Sequence, residues 1–149
     1  MCLDINEILR ILPHRYPILL LDRVTKFNPY ESIEGYKNIS INEGIFQGHF
    51  PNKPVYPGVM MIEGMAQAGV VLAFKSTYGD NLDSIDKIAY FAGIDRAKFR
   101  HVVSPGDQLI YKMEVIKYRG RIWILDGKAF VGDKLVAEAE LKAVLSDKE

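Results

Sequence analysis

The sequence has few of the residues that build covalent or metal-held frameworks. Its 149 residues include one cysteine, Cys2, and three histidines. A single cysteine excludes a disulfide framework and a zinc cluster of several thiolates, and Cys2 is expected to be an incidental terminal thiol. We therefore expect a fold that depends on its apolar core, with no metal site.

A net charge is also missing. The 19 Lys and Arg residues are balanced by 19 Asp and Glu residues, so nothing in the overall charge favours nucleic acid or a membrane surface as partner. The first residues lack the charged-then-apolar layout of a signal peptide, and the expected compartment is the cytoplasm. A chain that is 48% apolar and 26% charged, at this length, fits a single soluble domain over residues 1–149.

The middle of the chain has a rigid segment followed by an apolar one. Pro51, Pro54 and Pro57 fix the backbone of residues 49–57, which therefore cannot be helical. From Gly58 to about residue 76 there is no proline and almost every residue is apolar or small, which predicts a helix of roughly 18 residues and ~27 Å. The uninterrupted apolar part is too short for a membrane span, so we predict a central core helix.

Glu63 is unusual in such a helix. A buried carboxylate is costly unless it is paired, hydrogen-bonded or protonated. Gln67 lies four residues later on the same face and can hold it, so a satisfied Glu–Gln pair is one interpretation. The other is catalytic, because His49 lies just before the same helix and a histidine with a partly buried carboxylate forms a plausible general acid/base pair.

The remaining segments indicate one short helix and about six strands. Asp4 and Glu7 form the signature of a helix N-terminus, and apolar residues at helical spacing follow until Pro13. Residues 18–27 and 32–39 form a predicted hairpin. Alternating segments at 87–94, 96–100, 109–115, 123–131 and 135–143 are separated by turn signals. The predicted class is α+β, with a long central helix wrapped by a curved antiparallel sheet of about six strands.

Eight short motifs occur in order along nearly the whole chain: LPHRYP at 12–17, LDRV at 21–24, GHFP at 48–51, PGV at 57–59, MAQ at 65–67, FAGID at 91–95, PGD at 105–107 and AEAEL at 137–141. In this order and spacing they resemble the bacterial 3-hydroxyacyl-(acyl carrier protein) dehydratases of the hotdog fold, from type II fatty acid synthesis. Two departures are visible. Gly64 stands where alanine is usual, and His101 where proline is common.

The resemblance implies the reaction, the partner and the assembly. The reaction is dehydration of 3-hydroxyacyl-(acyl carrier protein) to the trans-2-enoyl form, in fatty acid and lipid A biosynthesis, without a cofactor. The partner is acyl carrier protein bearing a 3-hydroxyacyl-pantetheine arm. The assembly is a homodimer, extended to a trimer of dimers. The catalytic pair is His49 and Glu63, with the glutamate of one subunit facing the histidine of its partner. A glutamate rather than an aspartate at position 63 favours the plain dehydratase branch over the dehydratase–isomerase branch.

The chemistry of these residue types fits that reaction. His49 is the predicted base for the proton α to the thioester carbonyl, and Glu63 would bind the leaving hydroxyl, alone or with His49 returning the proton. The backbone N–H of Gly58, at the positive end of the central helix, can polarise the carbonyl. The predicted substrate-binding residues are Gly58, Val59, Gln67, Tyr90 and Phe50.

Four further aromatic or histidine side chains need an interpretation. Tyr90 and its neighbour Phe91 are predicted core residues, although the resemblance implies a gate at position 90. His14 is predicted to be structural, and His101 to be a surface residue.

Basic residues alternate at Arg96, Lys98 and Arg100. Alternation puts them on one strand face, where three like charges repel and gain nothing obvious for the fold. We predict that they dock the acidic carrier protein. The alternative is an ordinary solvated strand face.

Two other functions remain open from the sequence. An acyl thioesterase of the same fold would use a carboxylate to activate water, and a non-catalytic acyl-binding module would bind without turnover.

Overall fold

The structure is a computed structural model that describes residues 2–148. Two α-helices, two short 3₁₀ turns and six strands follow one another along the chain. In chain order they are α1 (Ile5–Ile11), β1 (Arg23–Asn28), β2 (Ser32–Asn38), a 3₁₀ turn (Gly44–Gln47), α2 (Gly58–Tyr78), a 3₁₀ turn (Leu82–Ser84), β3 (Lys87–Phe99), β4 (Gln108–Arg119), β5 (Ile122–Val131) and β6 (Lys134–Asp147).

Helix α2 is the predicted central helix. It begins after Pro57, whose carbonyl accepts hydrogen bonds from the N–H groups of Met60 and Met61, and it ends before Gly79, which has a φ of 59°. Left-handed φ values favour glycine, so the helix stops there. Every residue from Gly64 to Lys75 is buried. The sequence prediction of a core helix is therefore confirmed, and the helix ends two residues later than expected, at Tyr78.

A single antiparallel sheet covers this helix. Its strand order is β1-β2-β4-β5-β6-β3, and α2 contacts five of the six strands. The buried faces of β4 and β5 carry Tyr111, Met113, Trp123 and Leu125, which are almost fully shielded from solvent. Helix α2 is the one described helix long and apolar enough to suit a membrane span, but 78% of its most apolar stretch is buried inside the protein.

Strand β3 is one edge of the sheet and is irregular. The sequence predicted two segments here, but the structure has one strand of 13 residues paired with β6. Its register shifts between Phe91 and Gly93 and again between Asp95 and Lys98. A β-bulge leaves an extra residue unpaired and changes which side chains face the core, so simple alternation fails along this strand.

The predicted first strand is shorter than expected. Residues 18–22 are not part of β1, although Leu20 and Leu21 are buried. Their backbone groups are satisfied in other ways: those of Ile18 and Leu20 bond to side chains, and the Asp22 N–H donates to the Tyr36 carbonyl. The prediction of a strand over residues 18–27 was wrong for its first half, because an apolar run shows burial and not its hydrogen-bond partners.

Candidate active site

The loop before α2 holds His49 by three hydrogen bonds. The His49 N–H donates to the Ile45 carbonyl at 3.0 Å, and its carbonyl accepts from the Val55 N–H at 3.1 Å. Ring atom Nδ1 lies 2.7 Å from the Val55 carbonyl oxygen. A carbonyl oxygen can only accept, which assigns the ring proton to Nδ1. The neutral ring therefore keeps its lone pair on Nε2, where a base needs it.

Phe50 packs on the ring of His49. The two ring centroids lie 3.9 Å apart and the ring planes are 28° from parallel. Phe50 and Lys53 exchange backbone hydrogen bonds of 2.9 and 3.0 Å, which close the turn that carries Phe50. About half of the Phe50 surface is exposed (51%), so an apolar face remains beside the histidine.

Glu63 lies on the first turns of α2 and is half-buried. Its Oε1 accepts a hydrogen bond from Gln67 Nε2 at 2.9 Å and lies 3.5 Å from His14 Nε2. Burial raises the pKa of Glu63, but the His14 ring and the Gln67 amide stabilise the carboxylate and bring its pKa below the ordinary value. At neutral pH this side chain is a carboxylate, which accepts hydrogen bonds and cannot donate a proton.

Gln67 is fully buried, and all its hydrogen bonds go to protein groups. Besides Glu63, its Nε2 donates to the Ile18 carbonyl at 2.7 Å, and its Oε1 accepts from the Leu20 N–H at 2.8 Å. The predicted Glu63–Gln67 pair is thus present. Because both amide protons are used inside the protein, Gln67 is placed to orient Glu63 rather than to reach a substrate.

His14 is the site residue that the sequence analysis underestimated. Arg15 donates to the carbonyls of Leu9, Leu12 and His14, which fixes this loop over the end of α1. The His14 Nε2 thereby reaches Glu63, while its Nδ1 is buried without a hydrogen-bond partner in residues 2–148. The only available signal was the LPHRYP motif, since residues 14 and 63 are far apart along the chain.

An apolar cavity of about 370 Å³ opens beside Glu63. On one side it is lined by α2 residues such as Val59 and Ile62, and on the other by β3 residues such as Phe91 and Ile94. Its walls are hydrocarbon apart from the carboxylate. A cavity of this kind suits an alkyl chain whose reactive end lies at Glu63.

A second cavity of about 420 Å³ lies at the N-terminal end of α2. Gly58, Val59 and Phe99 line it, together with His101, which is exposed as the sequence analysis predicted. A Cβ on Gly58 would lie 2.7 Å from the Phe99 ring, so a larger residue here would push this half-exposed ring aside. The N–H of Gly58 has no acceptor within the helix and lies at its positive end.

Two predicted site residues, His49 and Tyr90, lie apart from Glu63 and the two cavities in the single chain. Within residues 2–148, His49 and Glu63 make no hydrogen bond or ion pair with each other. Tyr90 is 57% exposed on edge strand β3 and is not among the residues that line either cavity. It is therefore not a core residue, contrary to the interpretation favoured from the sequence.

The basic stripe is paired with acidic residues of β6. Arg96 lies 2.9 Å from Glu140, and Arg100 lies 2.8 Å from Glu138. The expectation that these cations gain nothing for the fold was therefore wrong, because it could not include the neighbouring strand. Lys98 has no acidic partner within the described part of the chain.

No group of three His, Cys, Asp or Glu side chains within residues 2–148 is arranged to hold a metal ion. The site described above consists of a histidine, a carboxylate and their protein partners.

Residues 12–140 match the model of the FabA-like domain. The chain belongs to the FabA-like family. It is also 63% identical over 150 residues to a 3-hydroxyacyl-[acyl-carrier-protein] dehydratase FabZ of Wolinella succinogenes, covering 100% of this chain and 99% of that protein. The family predicted from the sequence is confirmed.

Solved structures support the fold. A dehydratase heterocomplex, ApeI:P from Xenorhabdus doucetiae, superposes with a TM-score of 0.79 at 19% identity, covering 95% of this chain and 91% of that one. A hot-dog-like protein from Thermanaerovibrio acidaminovorans gives a TM-score of 0.62 at 15% identity, covering 82% and 85%. The predicted hotdog fold is therefore confirmed.

Proposed function

We propose that this FabA-like protein dehydrates 3-hydroxyacyl groups carried on acyl carrier protein to trans-2-enoyl groups, as a step of fatty acid elongation. The observation that carries the proposal is the Glu63 carboxylate, held by Gln67 and His14 at the mouth of an apolar cavity. The match over the full length to a dehydratase of this name supports it.

The reaction moves one proton and one hydroxide. Nε2 of His49 takes the proton α to the thioester carbonyl, and the Cα–H electrons form an enolate. The N–H of Gly58 stabilises the charge on the enolate oxygen. The enolate then collapses to the double bond, and the C3–O bond breaks. The proton on His49 goes to the departing hydroxide, which leaves as water.

The lowered pKa of Glu63 supports one of two versions of this mechanism. Since the carboxylate is anionic at neutral pH, it accepts a hydrogen bond from the substrate hydroxyl and orients it. The imidazolium of His49 is then the acid. One ring serves both proton transfers, so the proton and the hydroxyl should leave from the same face of the substrate. No oxidant, metal or organic cofactor enters this balance.

We also propose an oligomeric assembly and roles for three residues outside the catalytic pair. Residues 1–149 act as one catalytic domain in the cytoplasm, as a homodimer within a trimer of dimers. Phe50 and Val59 provide apolar surface for the substrate at the two ends of the reaction centre. Tyr90, exposed on the edge strand, gates the acyl site of the partner subunit.

A direct assay separates dehydration from the two alternatives. A 3-hydroxyacyl thioester is incubated with the protein, and enoyl absorbance is followed in parallel with release of free thiol. Dehydration predicts enoyl formation without thiol release. Thiol release would indicate a thioesterase, and saturable binding without either product would indicate a non-catalytic module.

Mixing two inactive variants tests whether subunits share each site. In a dimer of one His49→Ala chain and one Glu63→Gln chain, one site carries both substitutions and the other carries neither. Random pairing makes half of the dimers mixed, so we expect activity to return to about one quarter of the wild-type value. Each variant mixed with itself is the control. Activity that stays at background in a sample shown to contain mixed dimers would place His49 and Glu63 of one site in the same chain.

Lys98 is expected to matter only for substrate on the carrier. Charge contacts on a rim act mainly on association and are screened by salt. Lys98→Glu should raise the apparent KM for carrier-bound substrate on the order of fivefold at low salt, and should leave a short thioester mimic unaffected. Lys117→Glu makes the same charge change on exposed β4 and is the matched control. Equal losses on both substrates would contradict carrier docking at this stripe.

A further inference from the structure

The segment before β1 is held by side chains rather than by a neighbouring strand. Leu20 is 1% exposed, so both polar groups of its backbone need partners. Its N–H donates to Gln67 Oε1 at 2.8 Å, and its carbonyl accepts from the Tyr111 hydroxyl at 3.0 Å. Gln67 in turn donates to Glu63 at 2.9 Å. The Tyr111 hydroxyl, the Leu20 backbone, the Gln67 amide and the Glu63 carboxylate are thus linked in series by three hydrogen bonds.

Tyr111 reaches this segment across the face of α2 at Gly64. A Cβ on Gly64 would lie 2.0 Å from the Tyr111 hydroxyl oxygen and 2.3 Å from the ring carbon that bears it. Tyr111 is fully buried, so its ring has no solvent-side space into which to move. The hydroxyl therefore requires a glycine at position 64. This explains physically why alanine, expected from the family resemblance, is absent here.

We propose that Tyr111 is a positioning residue for Glu63, acting through the Leu20 backbone and the Gln67 side chain. The inference rests on the proposed function, since it assigns Tyr111 a part in the same reaction. The Leu20 carbonyl and N–H belong to successive peptide groups that share its Cα. Tyr111 holds one of these groups and Gln67 the other, so the Leu20 backbone has little freedom to turn, and its N–H fixes the Gln67 amide. Both amide protons of Gln67 are then committed, one of them to Glu63.

Tyr111 acts on Glu63 through its hydrogen bond to the Leu20 carbonyl, and not through a charge of its own. The titratable side chain that contacts Glu63 is His14, from the loop after α1, whereas the Tyr111 hydroxyl bonds to the Leu20 carbonyl. Burial raises the pKa of Tyr111 well above its ordinary value, so the hydroxyl stays protonated over the working pH range. It donates to Leu20 at every pH at which the enzyme is assayed.

The first test removes one oxygen atom. Tyr111→Phe keeps the ring and the packing, so the variant should fold and assemble as the wild type does. We expect kcat to fall by about 10- to 100-fold, which is the range for a misplaced catalytic group, while KM changes less than about twofold. The acid limb of the kcat profile should move to higher pH, because a less firmly held Gln67 stabilises the Glu63 carboxylate less.

Tyr56→Phe is the matched control. The Tyr56 side chain is also almost fully buried, but its hydroxyl has no hydrogen-bond partner within residues 2–148. Its removal should leave kcat and the acid limb unchanged. Unchanged kcat in Tyr111→Phe, or an equal loss in both variants, would overturn the proposal while leaving wild-type dehydration, and thus the proposed function, intact.

A second pair of variants separates packing from positioning. Gly64→Ala alone should lower the melting temperature, because the new methyl group meets the Tyr111 ring. In Gly64→Ala with Tyr111→Leu, the outer ring atoms and hydroxyl are gone, and the melting temperature should recover towards that of the wild type. We expect kcat to stay low in this double variant, since no donor reaches Leu20. Recovery of kcat together with stability would show that Tyr111 only fills space.

Discussion

Replacing His49 by asparagine is expected to lower kcat/KM for dehydration by at least ~100-fold, the contribution of a positioned general base. Asparagine can still donate a hydrogen bond to the Val55 carbonyl, as Nδ1 of the histidine does at 2.7 Å. The loop before α2 should therefore keep its shape. The variant lacks the Nε2 lone pair, which is the proposed base that removes the α-proton of the substrate.

His49→Ala provides the comparison. It removes both the base and the hydrogen bond to Val55, so it tests whether loop shape adds to the effect. If the chemistry depends on Nε2, both variants should be similarly inactive on a short thioester mimic. Turnover within about tenfold of the wild type in a folded His49→Asn protein would exclude His49 as the base.

Glu63→Gln is the second change for which we expect a loss of at least ~100-fold, here in kcat. The glutamine has the same shape, and its Oε1 can still accept from the Gln67 amide. The glutamine lacks the negative charge that orients the substrate hydroxyl. That charge also stabilises the imidazolium of His49 while water departs. Glu31→Gln, on an exposed turn, makes the same charge change and should be near-normal.

The pH dependence gives this prediction a second readout. The pKa of Glu63 is lower in the folded protein than its ordinary value, so the carboxylate persists to a lower pH than an unperturbed glutamate does. Gln67→Ala removes one of the stabilising partners and should shift the loss of kcat to higher pH. A normal kcat for folded Glu63→Gln at any pH between about 5 and 9 would remove the carboxylate from the mechanism.

The sequence predicted best those parts of the fold that depend on residues close together in the chain. The capping box of α1 is present, with Asp4 and Glu7 bonded to each other's backbone N–H groups at 3.0 Å. Helix α2 begins at Gly58, directly after the last of the three prolines. In both cases the signal lies within a few residues of the feature it predicts.

The parts that sequence missed depend on residues far apart in the chain. The contact of His14 with Glu63 requires the loop at residues 12–17 to fold over α2, and no local pattern reports that. The segment at 18–22 has the composition of a strand, but its partners are Gln67 and Tyr111. The two arginines of the basic stripe meet Glu138 and Glu140 only because β3 and β6 are neighbours.

The order of elements along the chain also has a consequence during synthesis. Helix α2 ends at Tyr78, while three of the strands that bury it, β4, β5 and β6, extend from Gln108 to Asp147. A ribosome that adds about 5–20 residues per second therefore releases the helix several seconds before the chain can cover it. In that interval an apolar segment of the nascent protein is open to water. We expect it to be a target for chaperones that bind exposed apolar helices, and to make the unfinished chain more prone to aggregation than the completed one.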